Sequence, residues 1–149
     1  MTESSRSVIT AAGVDVKFLF DAEDSGGDAT AFVTRVTPGG YTLPPHSHDW
    51  DETMFVIEGT LSFVIDGEPR EVSAGDAVFI RKGQVHAYQN LTDVDSSMLI
   101  VSTPGLNHES YFASVAAVLN GDGADAAKDE SVRAIMDEYG VVADTPAAG

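Results

Sequence analysis

Between Val14 and Val101 the chain falls into short runs rich in Val, Ile, Phe, Thr and Tyr, punctuated by Gly, Pro and Asp. That punctuation is the signature of a sandwich or barrel, because each pleated strand needs a turn before the next can pair with it. The runs predict strands at Val16–Phe20, Ala31–Thr37, Met54–Ile57, Leu61–Ile65, Glu71–Ser73, Ala77–Ile80, Val85–Gln89 and Ser97–Ser102. Glu58-Gly59 and Asp66-Gly67-Glu68-Pro69 read as turns in which glycine supplies a positive φ. Neighbouring runs are therefore expected to pair antiparallel.

After Thr103-Pro104-Gly105 the period changes. Tyr111, Phe112, Val115, Val118 and Leu119 recur at helical spacing, as do Val132, Ile135, Met136 and Tyr139, so two amphipathic helices are expected, packed on the barrel. Asn107 and Asp129 are candidate caps for their starts, and Gly121 and Gly140 for their ends. Asn120-Gly-Asp-Gly-Ala-Asp reads as a linker, since it lacks the spacing and terminal bidentate glutamate of a helix–loop–helix calcium site. The first seven or so residues and the last six read as frayed ends. A length of 149 residues, 43% of them hydrophobic, suits one domain, 1–149, with a barrel at about 8–103 and helices at about 107–140.

The formal charge of −16, with Asp+Glu 24 against Lys+Arg 8, repels nucleic acid and anionic membrane surfaces. Neither partner is expected. No stretch approaches the roughly 18 uninterrupted apolar residues of a membrane span, and nothing resembles a secretory signal, so the expected address is cytoplasmic. With no cysteine, a metal site would have to use imidazole and oxygen.

Only four histidines are present, and two of them stand with three carboxylates in His46-Ser-His48-Asp-Trp-Asp-Glu52. In an extended strand His46, His48 and Glu52 share one face, and His86 in a later run is a candidate fourth ligand, with Tyr88 of the same parity. Imidazole suits Fe, Ni, Cu, Co and Zn, carboxylate suits Mn and Fe, and such a set leaves octahedral positions open for catalysis.

Gly40-Tyr-Thr-Leu-Pro-Pro-His46-Ser-His48-Asp-Trp-Asp-Glu52-Thr-Met-Phe-Val-Ile-Glu-Gly59 resembles the first cupin motif, G-x5-H-x-H-x3or4-E-x6-G, at every fixed position. Gly75-Asp-Ala-Val-Phe-Ile-Arg81-Lys-Gly83-Gln-Val-His86-Ala-Tyr-Gln-Asn90 resembles the second, G-x5-P-x-G-x2-H-x3-N, with Arg81 where proline belongs. The departure puts the rigidity of that turn in question and removes no ligand. The resemblance implies an all-β double-stranded β-helix, or jelly-roll, barrel with the two C-terminal α-helices beside it. It implies His46, His48, Glu52 and His86 as ligands of one divalent transition metal per chain, whether Fe, Mn, Ni, Co, Cu or Zn.

Other residues near the motifs read more plainly. Asp51 has the wrong parity and suits a solvated or loop-capping role. His108, beyond both motifs, suits helix-end or surface duty. Trp50 and Phe55 read as core or pocket wall, and Met54, Val56, Phe63, Phe79, Met98 and Ile100 as barrel interior or substrate walls. Tyr88 is either barrel packing or the best candidate for a proton donor or substrate hydrogen bond.

Cupins include dioxygenases, isomerases, cyclases and non-catalytic binding proteins, so the fold does not choose a reaction. The small size and the Tyr111-Phe112 helix look loosely like single-domain cupins related to quercetin dioxygenases. The expectation is a dioxygenase-like oxidoreductase acting on a small apolar or aromatic hydroxylated substrate, with Glu52 taking its proton. The alternatives are a non-redox metal-dependent isomerase or cyclase, and a non-catalytic small-molecule-binding protein. Arg35, Arg70, Arg81 and Lys82 are too few convergent cations for a phosphorylated sugar. Exposed sheet edges lead to the expectation of a homodimer.

Overall fold

A computed structural model describes residues 6–144. Its strands are β1 Ile9–Ala11, β2 Val14–Phe20, β3 Thr30–Val36, β4 His46–Ser47, β5 Asp51–Glu58, β6 Thr60–Ile65, β7 Glu68–Ser73, β8 Ala77–Ile80, β9 His86–Gln89, β10 Ser96–Thr103 and β11 Val142–Ala143. The helices are α1 Ala22–Ser25, α2 His108–Asn120 and α3 Asp125–Glu138. All pairing is antiparallel, in a six-stranded sheet ordered β1-β2-β3-β10-β5-β8 and a five-stranded sheet ordered β11-β4-β9-β6-β7. This is the expected jelly-roll.

Alternation in the sequence becomes the two faces of each strand. Along β10 the residues Ser96, Met98, Ile100 and Ser102 are buried while their neighbours are not, the period of two that a half-covered sheet requires. Phe18, Phe32, Met54, Val56, Ile80 and Met98 of one sheet meet Leu61, Phe63 and Val72 of the other in a single core. Each large apolar side chain fully buried there contributes roughly 1.5–3 kcal/mol.

Asp66 and Gly67, with φ of +50° and +82°, close the β6–β7 hairpin with Ile65 opposite Glu68, as expected. Glu58-Gly59 does something else. β5 pairs with β10 and β8 whereas β6 pairs with β7 and β9, so this turn is a corner between the two sheets and the expected pairing of β5 with β6 is absent. Gly59, at φ +78°, lies so close to β10 that a Cβ would collide with Ser96 Oγ and sit 2.8 Å from Asp95 O. The strands β1, β4 and β11 were not expected, because two or three residues are too short to show a period.

The two larger helices stop at Gly121 and just before Gly140, as expected, but neither start is capped as expected. α3 begins at Asp125, and Asp129 lies within it, paired to Arg133 at 2.9 Å. Asn107 occupies the N-cap of α2 without a side-chain hydrogen bond. Asp21 takes that role from across the fold. Its carboxylate accepts the N–H groups of His108 and Glu109, both at 3.3 Å, along with the Thr30 hydroxyl and the Ala22 N–H, both at 3.0 Å. An anion is well placed at a helix N-terminus, where the first N–H groups have no intrahelical partner.

Trp50, Tyr111, Val115, Val132, Met136 and Val141 form a second cluster that fastens the helices to the barrel. β11 follows the helices and pairs with β4, Ala143 opposite His46, and the Asp144 N–H donates to Pro45 O at 2.7 Å. Most of the expected frayed ends lie outside the described residues. Within them, Arg6 forms ion pairs with Asp24 and Glu109.

Candidate metal centre

His46 and His86 are direct cross-strand partners on β4 and β9, with ring centroids 4.5 Å apart. The single extended strand expected for His46 to Glu52 is broken: β4 ends at Ser47, the chain bends through His48 to Trp50, and Glu52 lies on β5. The bend still returns all three side chains to the interior, where His46, His48, Glu52 and His86 are 8%, 5%, 8% and 2% exposed. His48 stacks on Trp50, ring centroids 4.0 Å apart and nearly parallel. Its carbonyl accepts the Gly83 N–H at 2.8 Å, which ties the two histidine segments together.

The turn at Arg81 is held without proline. The Arg81 N–H, which proline would lack, donates to Gln84 Oε1 at 2.8 Å, and Gln84 Nε2 donates to Asp66 at 2.9 Å. Asp51 Oδ1 accepts the Lys82 N–H at 2.8 Å, the loop-capping role its parity indicated.

Backbone carbonyls orient the three rings. Nδ1 of His46, His48 and His86 lies 2.7, 3.0 and 2.9 Å from the carbonyls of Pro44, Trp50 and Gln84. A carbonyl can only accept, so each Nδ1 carries a ring proton and each ring turns its Nε2 inward. One ligand atom from each ring lies within 4.8 Å of the others, so the three histidines could hold a metal ion. His48 Nε2 is 2.5 Å from Glu52 Oε1, yet neither it nor His86 Nε2 has a hydrogen-bond partner. Lone pairs crowded this way in a dry interior are costly without a cation, and the nitrogen-and-oxygen donor set fits a divalent transition metal.

Protonation states agree with that fit. Burial, reinforced by His86, pushes His46 down to about 4. Burial also lowers His86, against the pull of Glu52. For Glu52, burial works to raise the carboxyl, but the His48 imidazole against it, helped by His86 and His108, holds it below the usual range. Around neutral pH His46 and His86 therefore stand as neutral imidazoles beside the Glu52 carboxylate.

The cluster forms part of the lining of a cavity of about 890 Å³, counting its open mouth, otherwise largely apolar. Met54, Ile100, Trp50 and Tyr88 line it as expected, and burial raises the Tyr88 phenol well above its ordinary value. Val56, Phe63 and Met98 belong instead to the closed core. Phe55 and Phe79 are 40% and 56% exposed, because their parity on β5 and β8 turns them to the outer face of the sheet. His108 corrects the expectation of surface duty. It is 5% exposed, lines the same cavity, and lies 4.9 Å from Trp50 between ring centroids. The signal was its spacing, since 108, 111, 112, 115 and 119 share one helical face.

Residues 32–102 match the family model of the cupin domain. Together with the two-sheet fold, which its cupin structural neighbours share, this supports a small member of the cupin superfamily. The solved polyketide cyclase RemF from Streptomyces resistomycificus is 26% identical, with a TM-score of 0.59 over 69% of this chain and 79% of that one. Tetracenomycin polyketide synthase protein TcmJ of Streptomyces glaucescens is 23% identical, covering 68% of this chain and 78% of TcmJ. The HTH-type transcriptional activator RhaS of Mannheimia succiniciproducens is 28% identical over 53% of this chain, which spans only 29% of that protein. Such likenesses support a cupin enzyme or binder.

Proposed function

We propose that this protein is a metal-dependent enzyme acting on a small aromatic substrate that carries hydroxyl or carbonyl groups, with His46, His48, Glu52 and His86 holding one divalent transition metal. The observation that carries this reading is the convergence of carbonyl-oriented Nε2 lone pairs beside the Glu52 carboxylate at the wall of an apolar cavity. A bound metal would supply Lewis acidity toward a substrate oxygen. The residues do the rest. Apolar walls hold the ring and exclude water, Glu52 accepts a substrate proton, and Tyr88, whose phenol is raised and stays protonated, donates a hydrogen bond.

Ring closure or isomerisation without redox change is the first reading, supported by the likeness to a polyketide cyclase. Dioxygenase chemistry is the second, supported by a ligand set that leaves coordination positions open. Elemental analysis of wild type beside His48→Ala tests the metal. About one metal per chain, lost in the variant, supports the site, and no metal after reconstitution refutes it. Oxygen uptake during turnover would favour the second chemistry, and turnover without it the first.

Exposed Phe55, Ile57 and Phe79 on the outer face of the six-stranded sheet support a homodimer, which light scattering tests. No helix among the described residues is long and apolar enough to cross a membrane. A cytoplasmic address and indifference to nucleic acid remain parts of this proposal, the latter supported by the −16 charge.

A further inference from the structure

In the lining of the cavity, Trp50, His108 and Tyr111 bring together polar side chains that have nothing to bond. Trp50 Nε1, both ring nitrogens of His108 and the Tyr111 hydroxyl are all buried without a partner. The residues themselves are 6%, 5% and 3% exposed, and all three line the cavity. They also adjoin one another: ring centroids of Trp50 and His108 lie 4.9 Å apart, and those of His108 and Tyr111 6.2 Å. Buried polar groups are normally paired, so each such group needs an explanation, and several on one cavity wall share one.

We infer that Trp50, His108 and Tyr111 form a second binding pole, adjoining the three-histidine cluster through Trp50, that hydrogen-bonds an oxygen substituent of an aromatic ligand. The chemistry of the atoms defines what fits. Indole N–H only donates, a phenol donates or accepts, and a neutral imidazole does one of each. Burial keeps His108 neutral around neutral pH, despite the opposing pull of Glu52 and Asp21, and raises the Tyr111 phenol so that it stays protonated. The pole thus offers a surplus of donors with an acceptor beside them, suited to a phenolic hydroxyl or ring carbonyl. It carries no fixed charge that would favour a carboxylate or phosphate.

The pole is rigid. Asp21 fixes the first turn of α2 through the His108 and Glu109 N–H groups, and Trp50 is held by stacking on His48. Donors held in place before the ligand arrives lose little freedom on binding.

This inference rests on the reading of the cavity as a site for an oxygenated aromatic, and it can be tested without the metal. The probes are 2-naphthol and naphthalene, equilibrated by dialysis with chelator-stripped protein. Wild type should prefer 2-naphthol by about tenfold, the worth of one good neutral hydrogen bond. Tyr111→Phe should cut that preference severalfold, and His108→Phe with Tyr111→Phe should abolish it while naphthalene still binds. Tyr111→Phe should also melt no lower than wild type, because it deletes a polar group with nothing to bond, whereas a structural hydroxyl would lower the melting point. Should the double variant fail to fold, the single variant decides by both readouts. Equal preference in wild type and variants, or equal binding of both probes by wild type, overturns the inference and leaves ordered water as the partner of these atoms. Metal content is measured on the same preparations before stripping. Protein that takes up no metal even after reconstitution, yet prefers 2-naphthol through Tyr111, would refute the metal reading alone.

Discussion

Replacing Asp21 by alanine removes the acceptor of four hydrogen bonds and leaves the buried start of α2 uncapped. Losing an N-cap costs about 1 kcal/mol, and hydrogen bonds to an ionised group about 1.5–3 kcal/mol each, though bonds sharing one carboxylate do not add fully. The Thr30 hydroxyl keeps Leu106 O as an alternative acceptor at 2.7 Å, which removes one of the four from the account. Asp21 is 6% exposed, so water replaces little of what is lost, and a destabilisation of about 3 kcal/mol follows. For a chain of this size that lowers the melting temperature by roughly 6–12 °C. The assay is thermal unfolding by circular dichroism, with urea unfolding as a check on the slope. Asn107→Ala is the matched control: Asn107 sits at the N-cap but makes no side-chain cap bond, so its removal should stay within about 0.5 kcal/mol. Equal losses in the two variants, or a loss below about 1 kcal/mol for Asp21→Ala, would refute the remote-cap argument.

Metal-stripped protein should lose stability as acid is added. His46 falls from the ordinary 6.5 to about 4 in the fold, so the unfolded chain takes up its proton first; the contribution, up to about 3 kcal/mol, is complete above roughly pH 6.5 and lost as pH falls through 4. Urea titrations across pH 4–7 measure this, and stability rising toward pH 4 would contradict it. Restoring metal at about 100 times its dissociation constant should add roughly 2.7 kcal/mol, seen as a higher melting temperature that His48→Ala does not show. Gly59→Ala should cost on the order of 1–3 kcal/mol, because it places a Cβ at positive φ against β10, and an unchanged urea midpoint would count against that close approach.

The barrel was legible because inward and outward residues alternate over whole strands such as β10, and the hairpin at Asp66-Gly67 because its turn chemistry is local. Glu58-Gly59 misled for a matching reason: glycine at positive φ signals a turn, but not whether the next strand stays in the sheet or leaves it. Asn107 was a plausible cap by type, yet helix starts depend on what satisfies the first N–H groups, and for α2 that is Asp21, distant in sequence. The four residues of the candidate metal centre stood out through spacing, while the carbonyls that orient their rings belong to the backbone and leave no trace in residue identity. His108 does begin a helix, as its position indicates, and the stripe it heads already shows that its face turns inward.

The pairing of β11 with β4 makes the two helices inseparable from His46. A strand two residues long has little hold of its own, and β4 lies between β9 and β11, so half of its register comes from residues that follow α3. In any exchange of parts between this chain and a relative, the helical segment and the segment around His46 would have to be inherited together. A chimera that joined this barrel to foreign helices would be expected to lose order first at the histidine on β4, far in sequence from the splice.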